Sequence, residues 1–184
     1  VIKRRQFLQA SALVFSFNVA GSWLELNCAQ AAELKLPYQN FNKTQALDLS
    51  RLSEGLVPGA AQAGAVHFID QQLQRDGAEN CLLMIRYLGV DPPFKPFYLA
   101  GLEAAQKAAG EKFNKSLALL SDDELNTFIT AMASDALKGW QGPPASFFYF
   151  VLRADAVDAK YGTELGFADL AVPYMAHIKP KTAW

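Results

Sequence analysis

The chain is poor in the residues that hold metals and haem. Its two histidines, His67 and His177, stand far apart, and neither has a second ligand at helical spacing, so they do not read as a metal site. The two cysteines, Cys28 and Cys81, lie 53 positions apart and neither is followed by histidine, which excludes the C-x-x-C-H attachment of a c-type haem. No G-x-G-x-x-G follows a strand pattern, so no flavin or dinucleotide is held here in the Rossmann manner. A G-x-S-x-G elbow and an acid pair set for glycoside chemistry are equally missing. Charge of one sign is not in excess either. With 17 basic residues against 18 acidic and a formal net charge of -1, there is no basic surface to suit a phosphate backbone, and nucleic acid is not an expected partner. Long apolar runs are absent too: Gln9, Ser11, Ser16, Asn18, Ser22 and Glu25 interrupt the stretch from Phe7 to Leu26, which argues against a permanent membrane-spanning helix.

What is present is a hydrophobic content of 51% with 19% charged residues over 184 positions, enough for one globular domain with a real core. The chain opens VIKRRQFLQASALVF. Arg4 and Arg5, followed by Phe7 and Leu8 and a mildly apolar run, look like the twin-arginine export signal, which a translocase for folded proteins reads. Small residues at Ala29 and Ala31 then complete the order of a cleavable signal with an A-x-A site, predicting a signal segment over residues 1–31 and a single domain over 32–184. The same arginine pair before apolar residues also occurs in N-terminal helices of cytoplasmic proteins. Cleavage there would remove Cys28 and leave Cys81 as one thiol in the apolar run CLLMIRYL, where it reads as a buried structural cysteine. Retention of the segment would instead permit a Cys28–Cys81 disulfide. Leu26-Asn27-Cys28 is a poor lipoprotein box, so lipidation is not expected.

Periodicity beyond the signal is helical. SDDELNTFITAMASDALKGW starts with the capping box Ser121/Glu124 and puts Leu125, Phe128, Ile129, Met132, Ala133, Ala136 and Leu137 on one helical face. FYLAGLEAAQKAAGEKF repeats Leu99, Leu102, Ala105, Ala109 and Phe113 at three or four. AGAVHFIDQQLQ aligns Val66, Ile69 and Leu73, with Asp70 three residues after His67, the spacing of an ordinary helical pair. ASFFYFVLRADAVDAK, from Ala145 to Lys160, reads as a helix buried on several sides in its first half. Pro58-Gly59, Asp91-Pro92-Pro93, Gly142-Pro143-Pro144 and YGTELGF punctuate these segments. Alternating strands joined by hairpin signals are not evident, so the expected fold class is all-α, a compact irregular helical domain with long ordered loops.

Four aromatics in succession, Phe147, Phe148, Tyr149 and Phe150, point all round a helix and offer more apolar surface than one core-facing stripe. They suit either an interface with a partner or the central helix of the core. YGTELGFADLAVPY likewise reads as a partner-contacting loop, with Gly162 and Gly166 allowing unusual backbone angles, or as an ordered connection.

The stretches VPGAAQAGAVHFIDQQL, FYLAGLEAAQKAAGEKF and FFYFVLRADAVDAKYGTELGFADLAVPY together resemble the small subunit of the gluconate 2-dehydrogenase type, over roughly residues 45 to 180. The most specific elements are Pro58-Gly59 with Phe68-Ile69-Asp70, and Phe147-Phe148 leading to Tyr161-Gly162 and Pro173-Tyr174. Where that family commonly has two glycines and an asparagine after the tyrosine, this chain reads Gly162-Thr163-Glu164, and Phe167 stands near an expected tryptophan, which marks a subfamily.

The resemblance implies a non-catalytic accessory chain, with no cofactor of its own and no residue touching substrate. Its partner would be a large flavoprotein of the glucose-methanol-choline type that holds FAD and oxidises a sugar or polyol, in some complexes with a haem c-carrying cytochrome subunit as a third chain. It further implies a periplasmic, membrane-associated complex. The small subunit would lend its twin-arginine signal to a flavoprotein folded around its flavin before export. Phe147, Phe148, Tyr149, Phe150, Tyr161, Gly162, Phe167, Pro173 and Tyr174 are then the candidate partner contacts. Two other classes fit the residues as well. One is an exported enzyme with an unrecognised site; the other is an independent periplasmic scaffold or binding protein.

Overall fold

A computed structural model describes residues 14–19, 21–75 and 80–171. The described elements open with an antiparallel hairpin, β1 (Val14–Val19) and β2 (Ser22–Asn27), paired from Val14 opposite Asn27 to Val19 opposite Ser22. Among the described residues eight helices follow: α1 (Cys28–Glu33), α2 (Lys43–Leu56), α3 (Ala65–Gln72), α4 (Leu83–Tyr87), α5 (Lys95–Phe113), α6 (Asp122–Ala133), α7 (Ala145–Tyr161) and α8 (Glu164–Asp169), with one 3-10 turn at Leu117–Leu119. The fold is all-α apart from the hairpin, and no described helix is long and apolar enough to cross a membrane.

The hairpin is a small addition to the expected all-α class, and it lies within residues 1–31, the stretch read as a signal segment. Phe15 and Phe17 alternate with exposed Ser16, the two-residue period of a half-buried strand, and Gly21 takes a φ of +84° in the turn. Their burial places residues read as a signal within the hydrophobic core, together with Cys28 and Ala31.

Local chemistry accounts for the helix starts. Asn27 with Gln30, Asn42 with Gln45, and Ser121 with Glu124 all form reciprocal capping boxes, each satisfying two otherwise orphaned backbone donors. Pro96 lies in the first turn of α5, where its missing N–H costs nothing, and Asn114 ends that helix at φ +53°. The expected helix from Ser121 stops earlier than its apolar pattern, at Ala133. The reason is tertiary. Asp135 turns left-handed at φ +54° and sends its carboxylate to the start of α7, accepting from the Ser146 N–H at 2.8 Å and from the Ser146 hydroxyl. Leu137 is still buried, but from a loop.

Helix α7 is the axis of the domain, packed against α2, α3, α4, α5, α6 and α8. Phe148 is wholly enclosed: its ring lies 5.7 Å from Phe97 and 6.1 Å from Trp140, and it fills the space that a Cβ on Gly101 would occupy. Phe147 and Tyr149 are half-buried, and Phe150 is 44% exposed. One core anchor and a graded set of partly covered rings thus share four consecutive positions. Replacing Phe148 with Ala should cost about 3–5 kcal/mol of stability. Replacing Phe150 should stay within about 0.5 kcal/mol. Urea unfolding of the two variants checks both, and equal losses would refute the assignment of Phe148 alone to the core.

Candidate functional site

The charged and polar side chains inside the domain are mostly engaged in holding loops. Asp70 accepts from the N–H groups of Gln39 and Asn40, at 3.0 and 2.7 Å, while the Asn40 amide donates back to the Asp70 carbonyl at 2.9 Å. Asp48 accepts from Ala118 N–H at 3.0 Å and so pins the 3-10 turn to α2. The Arg51 guanidinium donates to the Leu120 carbonyl and meets Asp122 at 2.7 Å. Gln72 accepts from Cys81 N–H at 2.6 Å. Each contact joins residues distant in sequence or on opposite sides of a loop, and each satisfies a backbone group that would be costly to bury alone.

His67 is enclosed, with Nε2 donating to the Leu36 carbonyl at 3.1 Å, since only the protonated nitrogen can meet that acceptor. Its ring lies 4.5 Å from Tyr38 and 6.0 Å from Phe17. Burial lowers its pKa, against smaller opposing effects of the Leu36 carbonyl and Asp70, and favours the neutral ring. The helical pairing expected between His67 and Asp70 is not among its hydrogen bonds; both side chains reach instead to the 36–40 segment.

One acid stands apart. Asp155 on α7 is 1% exposed, and its Oδ2 accepts from the equally buried Tyr98 hydroxyl of α5 at 2.7 Å, while Oδ1 has no hydrogen-bond partner. Burial pushes Asp155 up to about 7, opposed by the Tyr98 hydrogen bond and helped by Asp158 one turn away. Such a pair orients α5 on α7, yet it is closed off from solvent.

Residues that carry the family-like pattern converge around Pro58-Gly59. Gly59 has φ +87°, a left-handed conformation suited to glycine. Glu54 accepts from Gly59 N–H at 2.8 Å and from Ala61 N–H at 3.1 Å. From α7, Lys160 donates to the Pro58 carbonyl at 2.7 Å, and its ammonium lies 4.9 Å from the Tyr161 ring centroid. The link between the VPG turn and the KYG end of α7 is therefore physical, across 102 positions of sequence.

The structure separates the other candidate contacts. Arg4, Arg5, Phe7, Leu8, Pro173 and Tyr174 lie outside the described residues. Phe148 faces the core. Tyr161 and Phe167 are half-buried, and Gly162 is exposed with an ordinary φ of -71°. Gly166 is required for space rather than for backbone angle: its missing Cβ would meet the Lys160 carbonyl and Tyr161. On the outer side of α7, exposed Phe150, Arg153 and Val157 fall at i, i+3 and i+7. Sequence reasoning missed Leu83 and Tyr87, four apart on α4 and 60% and 85% exposed, and Trp23 at 72%. The run CLLMIRYL carried the signal for the first two, because Leu82 and Ile85 alone take its inward positions.

Cys28 and Cys81 are free thiols in the structure, not a disulfide. Burial pushes the Cys28 thiol up to about 12, leaving it a poor nucleophile. Among the described residues no group of three or more His, Cys, Asp or Glu side chains is placed to hold a metal ion.

The family model described as gluconate 2-dehydrogenase subunit 3 matches residues 45–177. No curated protein and no solved structure matches the chain. The matched span holds the Pro58-Gly59 turn, the Tyr98–Asp155 pair and the whole of α7.

Asp155 gives a test with a definite sign. Its folded pKa, about 7, lies above the ordinary 3.8, so between those values the folded chain binds more protons than the unfolded one. Stability from this group therefore falls as pH rises through that window and is flat above it. Asp155→Asn removes the titration, and the stability of the variant relative to the parent should rise from pH 4 to pH 7 by a few kcal/mol in order of magnitude. Urea denaturation across that range measures it; a difference independent of pH would contradict the assignment.

Proposed function

The chain belongs to the gluconate 2-dehydrogenase subunit 3 family, and from that membership we propose that it is the non-catalytic accessory subunit of an FAD-dependent sugar or polyol dehydrogenase of the glucose-methanol-choline type. In this reading it supplies a twin-arginine export signal through Arg4 and Arg5, and assists folding and stability of the flavoprotein, which works in the periplasm. A cytochrome c subunit completes the electron path where the complex has one. The observation that carries the proposal is the family match across residues 45–177.

The internal chemistry supports an accessory role. Asp48, Asp70, Gln72 and Arg51 are all committed to loop backbones, and Asp155 is sealed behind Tyr98. Side chains so engaged shape a surface rather than transform a substrate. Exposed Phe150 and Val157 on α7, with Leu83 and Tyr87 on α4, provide apolar area of the kind that interfaces bury. FAD, in this reading, belongs wholly to the partner chain.

Export by the paired guanidinium groups is a matter of planar donors, which lysine does not reproduce. Co-expression of the chain with a neighbouring flavoprotein, as the parent and as Arg4→Lys/Arg5→Lys, should place dye-linked dehydrogenase activity in the periplasm with the parent only. The two chains should also co-purify. A flavoprotein exported and fully active without this chain would overturn the proposal.

A further inference from the structure

The N-terminal part of the described chain grips α3 at three places. At the start of α3, the Cys28 backbone occupies the space where a Cβ on Gly64 would stand. Midway, His67 donates to the Leu36 carbonyl and meets the Phe17 ring edge-on. Beyond its end, the Arg75 guanidinium lies over Phe15, 5.1 Å from the ring centroid. Phe15, Phe17, Cys28, Ala31 and Leu36 are all buried against the body.

This packing bears on the A-x-A sequence Ala29-Gln30-Ala31. All three residues lie within α1, whose start is closed by the Asn27/Gln30 box. Ala31 has no exposure at all. The carbonyls of Gln30, Ala31 and Ala32 accept from Leu34, Leu36 and Lys35 N–H groups, each at 3.0 Å. A peptidase binds its substrate as an extended strand, so cutting after Ala31 requires α1 to unwind, lose its caps and leave α3. Cleavage then follows the small population of the locally opened chain.

We propose that residues 14–19 and 21–36 form a permanent clasp on α3, and that the folded chain resists cleavage after Ala31 and keeps the hairpin as part of its domain. The clasp explains why aromatic side chains alternate in a stretch otherwise ordered like a signal: they are core residues of a strand. It does not depend on the identity of the partner subunit, and its test does not require export.

The purified 184-residue chain, as the parent and as Phe15→Asp/Phe17→Asp, would be incubated with a signal peptidase of Ala-x-Ala specificity in detergent, with products read by N-terminal sequencing and intact mass. The parent should be cut after Ala31 at least about tenfold more slowly than the variant, whose clasp is opened. A parent cut as fast as the variant overturns the proposal, as does failure of both to be cut, since folding is then not what protects the bond. Hydrogen exchange of the parent supplies a reading independent of how the variant folds. The Leu34 and Leu36 amides should exchange at least about tenfold more slowly than in the unfolded chain. Exchange at the unfolded rate would equally overturn the clasp.

Discussion

The close approach of α5 and α7 is the contact on which the remaining architecture depends. Phe148 fills the side-chain-free face of α5 at Gly101, and one turn earlier on α5 and two turns later on α7 Tyr98 donates to Asp155. An apolar lock and a polar one thereby fix the same two helices in rotation and in register. Because α7 is surrounded by six other helices, its placement sets theirs. A helix so enclosed needs apolar groups on most sides, which is why its first half carries Phe147 through Leu152 with no charge among them.

Around that axis the loops are ordered by side chains that reach backbone groups. Asp135 caps α7 from beyond the end of α6, Asp70 gathers residues 39 and 40, and Glu54 with Lys160 clamps the Pro58-Gly59 turn from two directions. Such contacts do little to distinguish enzyme from scaffold when seen as residue types. Seen as geometry, Asp135, Asp70, Glu54 and Lys160 are occupied in defining shape. That is consistent with a family named as one subunit of a dehydrogenase.

The chain by itself determined the helical class, the start of α6 at its Ser121/Glu124 box, and the family. Capping boxes are local, since donor and acceptor lie three residues apart, and the i, i+3, i+4 pattern of α6 reports a single buried face. The all-round apolar run at 147–150 announced a crowded helix but not which ring is core, because that depends on Gly101, a residue distant in sequence. For the candidate surface, the aromatic excess pointed to Phe147, Phe148, Tyr149 and Phe150 alike, of which Phe148 is buried and Phe150 exposed, whereas Leu83 and Tyr87 lie in an apolar run read as buried.

Only the tertiary structure decided where helix α6 stops, how Gly166 is used, and that Val14–Val19 and Ser22–Asn27 pair as a hairpin. In each case a partner beyond the element itself overrides the local pattern: Asp135 is drawn to Ser146 across the following loop, Gly166 is pressed on Lys160 and Tyr161 at the end of the preceding helix, and Phe15 and Phe17 find a surface beside α3. Local sequence carries the cost of bending a chain. The compensating contact lies many residues away, and it comes into being only when the domain closes.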